Sequence, residues 1–458
     1  MSVVDGTGGL GTRVHGDVIT ADDPRFDEAR DIDNRAEKSR PAAVVRCLDA
    51  RDVAESVSFA VAEGLPVAVR AGGHGAAGYG CVEDGLVIDL RAIDHVRVDT
   101  DRGVVAIGGG ACAGKVDTTT HSFGLATTTP TVSTVGMAGF TLGGGISYLT
   151  RKHGLAVDNL VGADVVLADG TLVRAGEGGD EDLLWGLAGG GGNLGVVTEL
   201  RMRLHPVSVV TGGPMIFPIE HTERLVRLFR DWIPQQPDDI YAFLALLSVP
   251  PDEQFPAELR MHPACALIWC NTASADRCNE ALATFRAERP VVDGVAQVPY
   301  PALQSAFDEG AAAGRYGSLA GALFEDLPDE AAAEYQRFGA SQPTPLCQSH
   351  LYPLDGAAAR PDRGATAWPW RDAAFAQMFA ALAPVPGAEP ALRAWANGFR
   401  DALRPYAMTG CYANFQMDEG PAAARACYGD NADRLARLKG IYDPTNVFRR
   451  NQNIAPLR

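Results

Sequence analysis

Three short stretches of this 458-residue chain carry residues whose types and spacing can do chemistry. The first is Gly72-Gly73-His74-Gly75, a histidine set in a glycine turn. The second is Gly136-Met-Ala-Gly139-Phe-Thr-Leu-Gly143-Gly144-Gly145, and the third is Gly189-Gly190-Gly191-Gly192-Asn193-Leu-Gly195. Glycine reaches positive φ and lets a ligand approach main-chain N–H groups with no Cβ in the way. Consecutive N–H groups in such turns form concave anion-binding nests. A single cluster is as often a plain turn. Three of them between residues 72 and 195 suit a pyrophosphate or dinucleotide better than a small metabolite. The two common nucleotide loops do not account for them. No G-x-G-x-x-G opens a helix after the first strand, and Gly114-Lys115 is followed by Val116 where a P-loop needs Ser or Thr.

Composition narrows the class. The 51 glycines exceed the usual share of about 7%. Apolar residues make 46% and charged residues 21%, which is ordinary for a globular protein and argues against disorder. At about 150 residues per domain the length predicts two to three domains. The net charge of −17 disfavours nonspecific binding to nucleic acid or anionic membrane. Nine scattered cysteines form no CxxC and no Cys/His knuckle, so no metal site is expected and most are read as reduced, buried small residues. The N-terminus lacks a basic stretch followed by an apolar one, and no apolar run approaches the ~20 residues of a membrane span. A cytoplasmic location is expected.

The elements that must position the clusters follow from periodicity. From Ala42 to Pro206 short strands alternate with helices. Asp52-Val-Ala-Glu55 reads as a capping box, with Val53, Val57, Ala60 and Val61 at helical spacing and Gly64 and Pro66 closing the helix. Val67–Arg70, Leu86–Leu90 and Val104–Ile107 read as strands. Val165–Ala168 and Thr171–Arg174 flank Asp169-Gly170 as a hairpin with a type I′ turn. Val196, Thr198, Leu200, Met202 and Leu204 alternate with Glu199, Arg201 and Arg203, predicting one core face and one wet face. Beyond Val207 the order changes. Strands are expected at Val209–Phe217, Tyr241–Val249 and Cys265–Cys270, helices at Thr222–Ile233 and Ala273–Arg286, and a loop at Gly356–Arg363. This is an antiparallel sheet with helices on one face, an α+β layer. Near the end, a strand through Gly410–Phe415 and a helix at Asn431–Leu438 are expected.

At these residues the chain resembles a known family. Val69-Arg70-Ala71-Gly72-Gly73-His74-Gly75 is similar to the phosphate-binding loop of the FAD-linked oxidoreductases of the vanillyl-alcohol oxidase superfamily, the berberine bridge enzyme-like group above all. Gly136–Gly145, Leu149–Leu155 and Asp158-Asn159-Leu160 resemble its second flavin segment. Asp182–Trp185, Gly189–Asn193 and Gly195–Thr198 resemble the third. Tyr412-Ala-Asn414-Phe415, Tyr442-Asp-Pro-Thr-Asn446-Val-Phe448-Arg449 and Asn451-Gln-Asn453 resemble the closing signature. The likeness spans residues 40–206 and 410–456, more loosely between.

The resemblance implies an α+β fold of the PCMH type. A two-subdomain FAD-binding domain would occupy 1–207 (core 36–207), a substrate domain of antiparallel sheet covered by helices 208–404, and a returning segment 405–458. It implies FAD bound covalently through His74. Contacts would come from Arg70, Ala71, Gly72, Gly73, Gly75, Thr134, Val135, Gly136, Gly139, Gly143, Gly144, Gly145, Asp158, Asn159, Gly192, Asn193, Gly195, Val196, Val197, Tyr412, Asn414 and Asn451. Many relatives add a second flavin bond from a cysteine. Here Val132 holds that position and no cysteine lies between Cys112 and Cys265, so one covalent bond at most is expected. The implied chemistry is oxidation of an alcohol, amine or C–H group of a small secondary metabolite, with hydride passing to flavin N5 and O₂ as acceptor. A redox-neutral cyclase or lyase is the alternative. The aromatic content of the second block suits a hydrophobic or polyketide-like substrate, and a monomer or homodimer is expected.

One position departs from the pattern. Members often carry Tyr-x-Asn-Tyr, whose second tyrosine is the general base, and here Phe415 takes its place. The base must come from elsewhere. Tyr148, Tyr316, His350, Tyr352 and Glu325 are candidates, each of which also reads as an ordinary core or surface residue.

Overall fold

The alternating runs resolve into three sheets in the computed structural model, which describes residues 9–253, 255–308 and 314–457. The first sheet comprises β1 (Asp17–Thr20), β2 (Ala43–Arg46), β3 (Val67–Arg70) and β4 (Leu86–Asp89), in the order β1-β2-β4-β3. β2 and β3 both run parallel to β4, while β1 is antiparallel to β2. Parallel strands need a crossover. The helix Ala50–Glu63 supplies it, with Val53, Val57 and Ala60 packed among Val45, Val67 and Ile88.

That helix ends at Gly64, in the left-handed region at φ 66°, as its sequence predicts. Its start is elsewhere than expected. The N-cap is Asp49, which accepts from the Asp52 N–H at 3.0 Å. Asp52 is fully buried and accepts from the backbone N–H groups of His15, Gly16 and Leu48 at 2.7, 3.0 and 2.9 Å. Two of its three partners are distant in sequence, so a local pattern could not assign it.

The second sheet is antiparallel throughout: β5 (Val96–Asp99), β6 (Val104–Gly108), β7 (Leu160–Val166), β8 (Leu172–Gly176) and β9 (Val196–Arg203), in the order β5-β6-β9-β7-β8. The hairpin is real but its turn is not type I′. Val166 pairs with Leu172, the Leu167 N–H bonds the Thr171 carbonyl, and the Gly170 N–H bonds the Leu167 carbonyl. Only Gly170 has positive φ, where a type I′ turn needs it at both central residues. β9 also lacks a wholly wet face. Val197 and Arg201 are buried, Arg201 among Asp164, Glu177 and Glu199 at 3.0, 2.8 and 3.1 Å.

The third sheet gathers β10 (Val209–Pro218), β11 (Ala242–Ser248), β12 (Pro263–Asn271), β13 (Val292–Asp293), β14 (Ala296–Pro299), β15 (Tyr316–Phe324), β16 (Gln348–Pro353) and β17 (Phe375–Ala383). The order is β13-β10-β12-β11-β16-β17-β15, with β14 also on β10. Side chains alternate faces along a strand. Leu244, Leu267, Leu351 and Phe379 point to one face and pack under the helices Thr222–Trp232, Ala275–Arg286, Asp329–Gly339 and Glu389–Leu403. Phe243, Ile268, Tyr352 and Ala376 point to the other and join a core shared with the second sheet. The helices therefore lie on one face, as the sequence predicts, and the opposite face is free to roof a site.

The C-terminal segment differs from expectation at Gly410–Phe415. It is no strand: Ala413–Phe415 forms a single 3₁₀ turn, with the Phe415 N–H on the Tyr412 carbonyl at 2.9 Å. The helix Ala432–Tyr442 follows, and Phe448 then packs in the core of the first sheet. Among the described residues no helix is long and apolar enough to cross a membrane.

Candidate active site

The three glycine clusters meet at one cavity of about 510 Å³. β3 leads directly into the first cluster, and Gly73 takes φ 77° to turn the chain back. Gly72 and Gly136 pack backbone against backbone. A Cβ on Gly72 would stand 2.4 Å from the Gly136 nitrogen, and one on Gly136 would stand 2.3 Å from the Gly72 nitrogen. These two residues are glycine so that the first two loops can touch. Gly75 and Gly139 are glycine for another reason. Nothing lies within 4 Å of a Cβ built on either, and both line the cavity. At Gly192 the nearest atom is Asn451 Nδ2 at 3.7 Å. Open backbone at three points around one cavity fits a dinucleotide pressed against the main chain.

His74 stands on this wall with a side chain 20% exposed. Its Nε2 lies 2.8 Å from Thr134 Oγ1 and its Nδ1 lies 3.5 Å from Asp33 Oδ2. Burial pushes the Asp33 carboxyl up, and the charges of His74 and Arg315 oppose that shift. Beneath, Arg70 is fully buried, with Nη2 on Asp89 Oδ2 at 2.8 Å and on the Ala29 carbonyl, and Nη1 on the Asp31 carbonyl at 3.1 Å. Its guanidinium braces the loop from behind, and Arg70 also borders the cavity.

Most of the expected cofactor residues border this space: Ala71, Gly72, Gly73, Gly75, Val135, Gly136, Gly139, Gly143, Gly192, Gly195, Val197, Tyr412, Asn414 and Asn451. Six do not. Gly144 and Gly145 lie behind the wall, with the Gly145 N–H on Tyr412 Oη at 2.8 Å. Asp158 is paired with Arg371 at 2.6 Å and caps Leu155 N–H at 2.8 Å. Asn159 donates to the His153 and Leu155 carbonyls at 2.8 and 2.9 Å. Val196 packs in the core of the first sheet. Asn193 is buried and binds the Gly190 carbonyl, Tyr428 Oη, the Gln452 carbonyl and the Ile454 N–H at 2.8–3.1 Å. These residues shape loops and do not face the cavity.

The closing signature holds the third loop in place. Lys439 and Asp443 are fully buried 2.5 Å apart. Lys439 Nζ also donates to the Asn193 and Phe448 carbonyls at 2.7 and 2.9 Å, and Asp443 accepts from Val447 and Phe448 N–H at 2.8 and 2.9 Å. Every donor of the ammonium is used, as a buried charge requires.

The roof is the free face of the third sheet. Leu319 of β15, Gln348, His350 and Tyr352 of β16, and Met378, Ala380 and Leu382 of β17 line it, with Arg315 beside them. Tyr352 Oη lies 2.7 Å from His350 Nδ1, and its ring stacks on Phe415 with centroids 5.9 Å apart. Phe415 in turn meets Tyr412 edge-on at 4.6 Å. Burial lowers His350 to about 3. Burial also raises the Tyr352 phenol, against a hydrogen bond with Thr131. Tyr412 is pushed up to about 12 by burial, and its oxygen accepts from Gly145 N–H and Asn414 Nδ2 at 2.8 and 3.0 Å.

Of the candidate bases, only His350 and Tyr352 reach the cavity. Tyr148 is buried in the core between Tyr241 and Phe243 at 6.2 and 6.0 Å, its hydroxyl without a partner among the described residues. Tyr316 lies under Lys38 at 5.2 Å, off the cavity wall. Glu325 is exposed. Sequence reasoning missed Gln348, Met378 and Leu319. Gln348 was within reach of it, since positions i and i+2 of a strand share a face with His350 and Tyr352.

Comparisons with known proteins place the chain among FAD-linked oxidoreductases. The family profile "FAD binding domain" matches residues 41–176, and "Berberine and berberine like" matches residues 411–455. The uncharacterized FAD-linked oxidoreductase YgaK of Bacillus subtilis (strain 168) is 30% identical over 454 residues, covering 98% of each chain. The (R)-6-hydroxynicotine oxidase of Paenarthrobacter nicotinovorans is 40% identical over 192 residues, 42% of each chain. Among solved structures, 6-hydroxy-D-nicotine oxidase from Arthrobacter nicotinovorans superposes with a TM-score of 0.85 at 26% identity, covering 97% of this chain and 98% of that one. A chitooligosaccharide oxidase shares the fold, with a TM-score of 0.84 at 22% identity over 99% of this chain and 100% of that one.

Proposed function

This chain belongs to the berberine-like family of FAD-linked oxidoreductases, and from that premise we propose that it oxidises an alcohol, amine or C–H group of a small hydrophobic metabolite, with O₂ as final acceptor. The observation that carries the reading is the single cavity bordered by all three glycine clusters and roofed by His350 and Tyr352. FAD, when bound, supplies the two-electron acceptor that takes hydride at N5, so the cofactor carries the electron chemistry and the protein supplies orientation and electrostatics.

The chain's residues divide that work. Gly75, Gly139 and Gly192 leave main chain open to the dinucleotide, and His74 is the tether. Leu319, Met378, Ala380, Leu382 and Phe415 make an apolar wall that excludes water and suits an apolar or aromatic substrate. Tyr352 Oη, held at 2.7 Å by the neutral imidazole of His350, is the group that meets the substrate proton, in place of the base that Phe415 cannot be. Such a positioned proton acceptor contributes about 10²–10⁴-fold. Residues 1–207 and 405–458 form the FAD-binding part in this reading, and 208–404 the substrate part.

A panel of hydrophobic alcohols and cyclic amines mixed anaerobically with the protein tests the proposal. A substrate must bleach the flavin's visible absorbance, and admitting O₂ must restore it with release of hydrogen peroxide. Turnover that leaves the flavin unbleached favours a redox-neutral cyclase or lyase instead.

A further inference from the structure

We propose that Cys411 and Cys427 form a two-electron oxidation site, a dithiol that closes to a disulfide and locks the C-terminal segment around the cavity. Their Sγ atoms lie 2.7 Å apart, and each also reaches the Ala423 carbonyl, at 3.7 and 3.5 Å. Among the described residues no other two cysteine sulfurs come within hydrogen-bonding range. The two differ in access. Cys411 is partly exposed and Cys427 is buried. Contact with Cys411, together with burial, also holds the Cys427 thiol protonated. Cys411 is therefore the sulfur an oxidant meets first, and Cys427 is the resolving partner.

The oxidant is hydrogen peroxide, which the proposed oxidase turnover would release at the neighbouring cavity. The Cys411 thiolate attacks the peroxide O–O bond, giving a sulfenic acid and one water. The Cys427 sulfur then displaces the hydroxyl from Cys411, and that hydroxyl leaves with the thiol proton as a second water. Two thiols and one peroxide become one disulfide and two waters. A small-molecule disulfide reaches the same product through a mixed disulfide, reduced by the same two electrons.

The position gives the bond a consequence. Cys411 precedes Tyr412, which lines the cavity and accepts from the Gly145 N–H at 2.8 Å. Cys427 precedes Tyr428, which donates to the Gln452 carbonyl at 2.7 Å and accepts from Asn193 Nδ2 at 3.1 Å. The cross-link thus joins the support of the second glycine loop to the support of the third. It also closes a loop between residues 16 apart, which removes freedom from the unfolded chain.

The test uses the full-length, flavin-loaded protein, reduced with dithiothreitol, desalted, then exposed to hydrogen peroxide or glutathione disulfide. Unfolding, alkylation and trypsin follow. Cys411 and Cys427 fall on separate tryptic peptides, 401–425 and 426–434, with one cysteine each. The expected result is a covalently joined pair of these peptides after either oxidant, and both peptides alkylated in the reduced sample. The oxidised protein should also melt about 3 °C or more above the reduced one, a gap absent in Cys427→Ser and in Cys411→Ser. Peptides recovered fully alkylated after oxidation overturn the proposal, as does Cys411 driven to sulfinic acid beside a free Cys427. The added oxidants make the outcome independent of turnover, so failure here and failure of the oxidase reading are separate results.

Discussion

Tyr352 Oη and His350 Nδ1 stand 2.7 Å apart on the cavity face of β16, while the Tyr352 ring lies stacked on Phe415. The phenol missing at position 415 is thus faced by a phenol from the opposite wall. Replacing Tyr352 by Phe should lower kcat by about 10²–10⁴ with the flavin spectrum and melting temperature unchanged. Stopped-flow flavin reduction checks it. A loss of less than threefold would remove Tyr352 from the proton path.

The depressed His350 sets a pH profile. A base lowered to about 3 is already neutral at pH 5, so kcat/KM should show no acid limb near the ordinary histidine value of about 6.5. The sign for stability follows from the same shift. The unfolded chain takes up a proton on His350 below about 6.5 and the folded chain does not, so its contribution is full above that value and is lost as pH falls towards about 3. One such group gives a slope of about 1.4 kcal/mol per pH unit in that window. Denaturant melts of wild type and His350→Gln from pH 4 to pH 7 should differ by this slope, the variant being the flatter.

Two glycine substitutions separate packing from ligand access. Gly72→Ala puts a methyl 2.4 Å from the Gly136 nitrogen and should destabilise the fold by about 1–3 kcal/mol. Gly75→Ala meets nothing within 4 Å and should leave the apoprotein melt unchanged while weakening FAD uptake. Thermal melts of both apoproteins and a flavin titration distinguish the two roles.

Lys439 offers a test of the loop supports. Lys439→Met leaves Asp443 buried beside two backbone N–H groups with its charge unpaired, at a cost of about 3–5 kcal/mol. Since Lys439 also holds the Asn193 carbonyl, the variant should lose the visible circular dichroism of its bound flavin before it loses helical signal on heating, the cofactor itself staying attached. Simultaneous loss of both signals at the wild-type temperature would contradict this role.

Much of the framework was legible in the sequence, for reasons specific to each element. Gly64 is a left-handed stop, and strands β3 and β4 are short apolar runs bounded by turns. Their period and punctuation are local, so reading them needed no tertiary knowledge. Asp52 looks like an N-cap in the sequence because its partners His15 and Gly16 are distant. Gly410–Phe415 reads as a strand because Tyr412 and Asn414 alternate along it, whereas the Tyr412 hydroxyl, accepting from Asn414 Nδ2, holds the segment in a turn. Tyr148 and Tyr316 could not be told from Tyr352 in the sequence, since what separates them is which face of which sheet meets the cavity. Asp158, Asn159 and Asn193 lie within flavin-segment motifs yet face away from the space, because a loop motif records the residues that shape a loop as well as those that touch a ligand.

The central claim is that this cavity holds FAD attached through His74, and intact-mass spectrometry of acid-denatured protein tests it most directly. The account predicts yellow protein whose polypeptide carries the mass of one FAD, located on the peptide containing His74, and a His74→Ala variant of unmodified mass that releases its flavin into acid. Wild-type protein of unmodified mass with free FAD in the supernatant would contradict the tether, and colourless protein would contradict the cofactor itself.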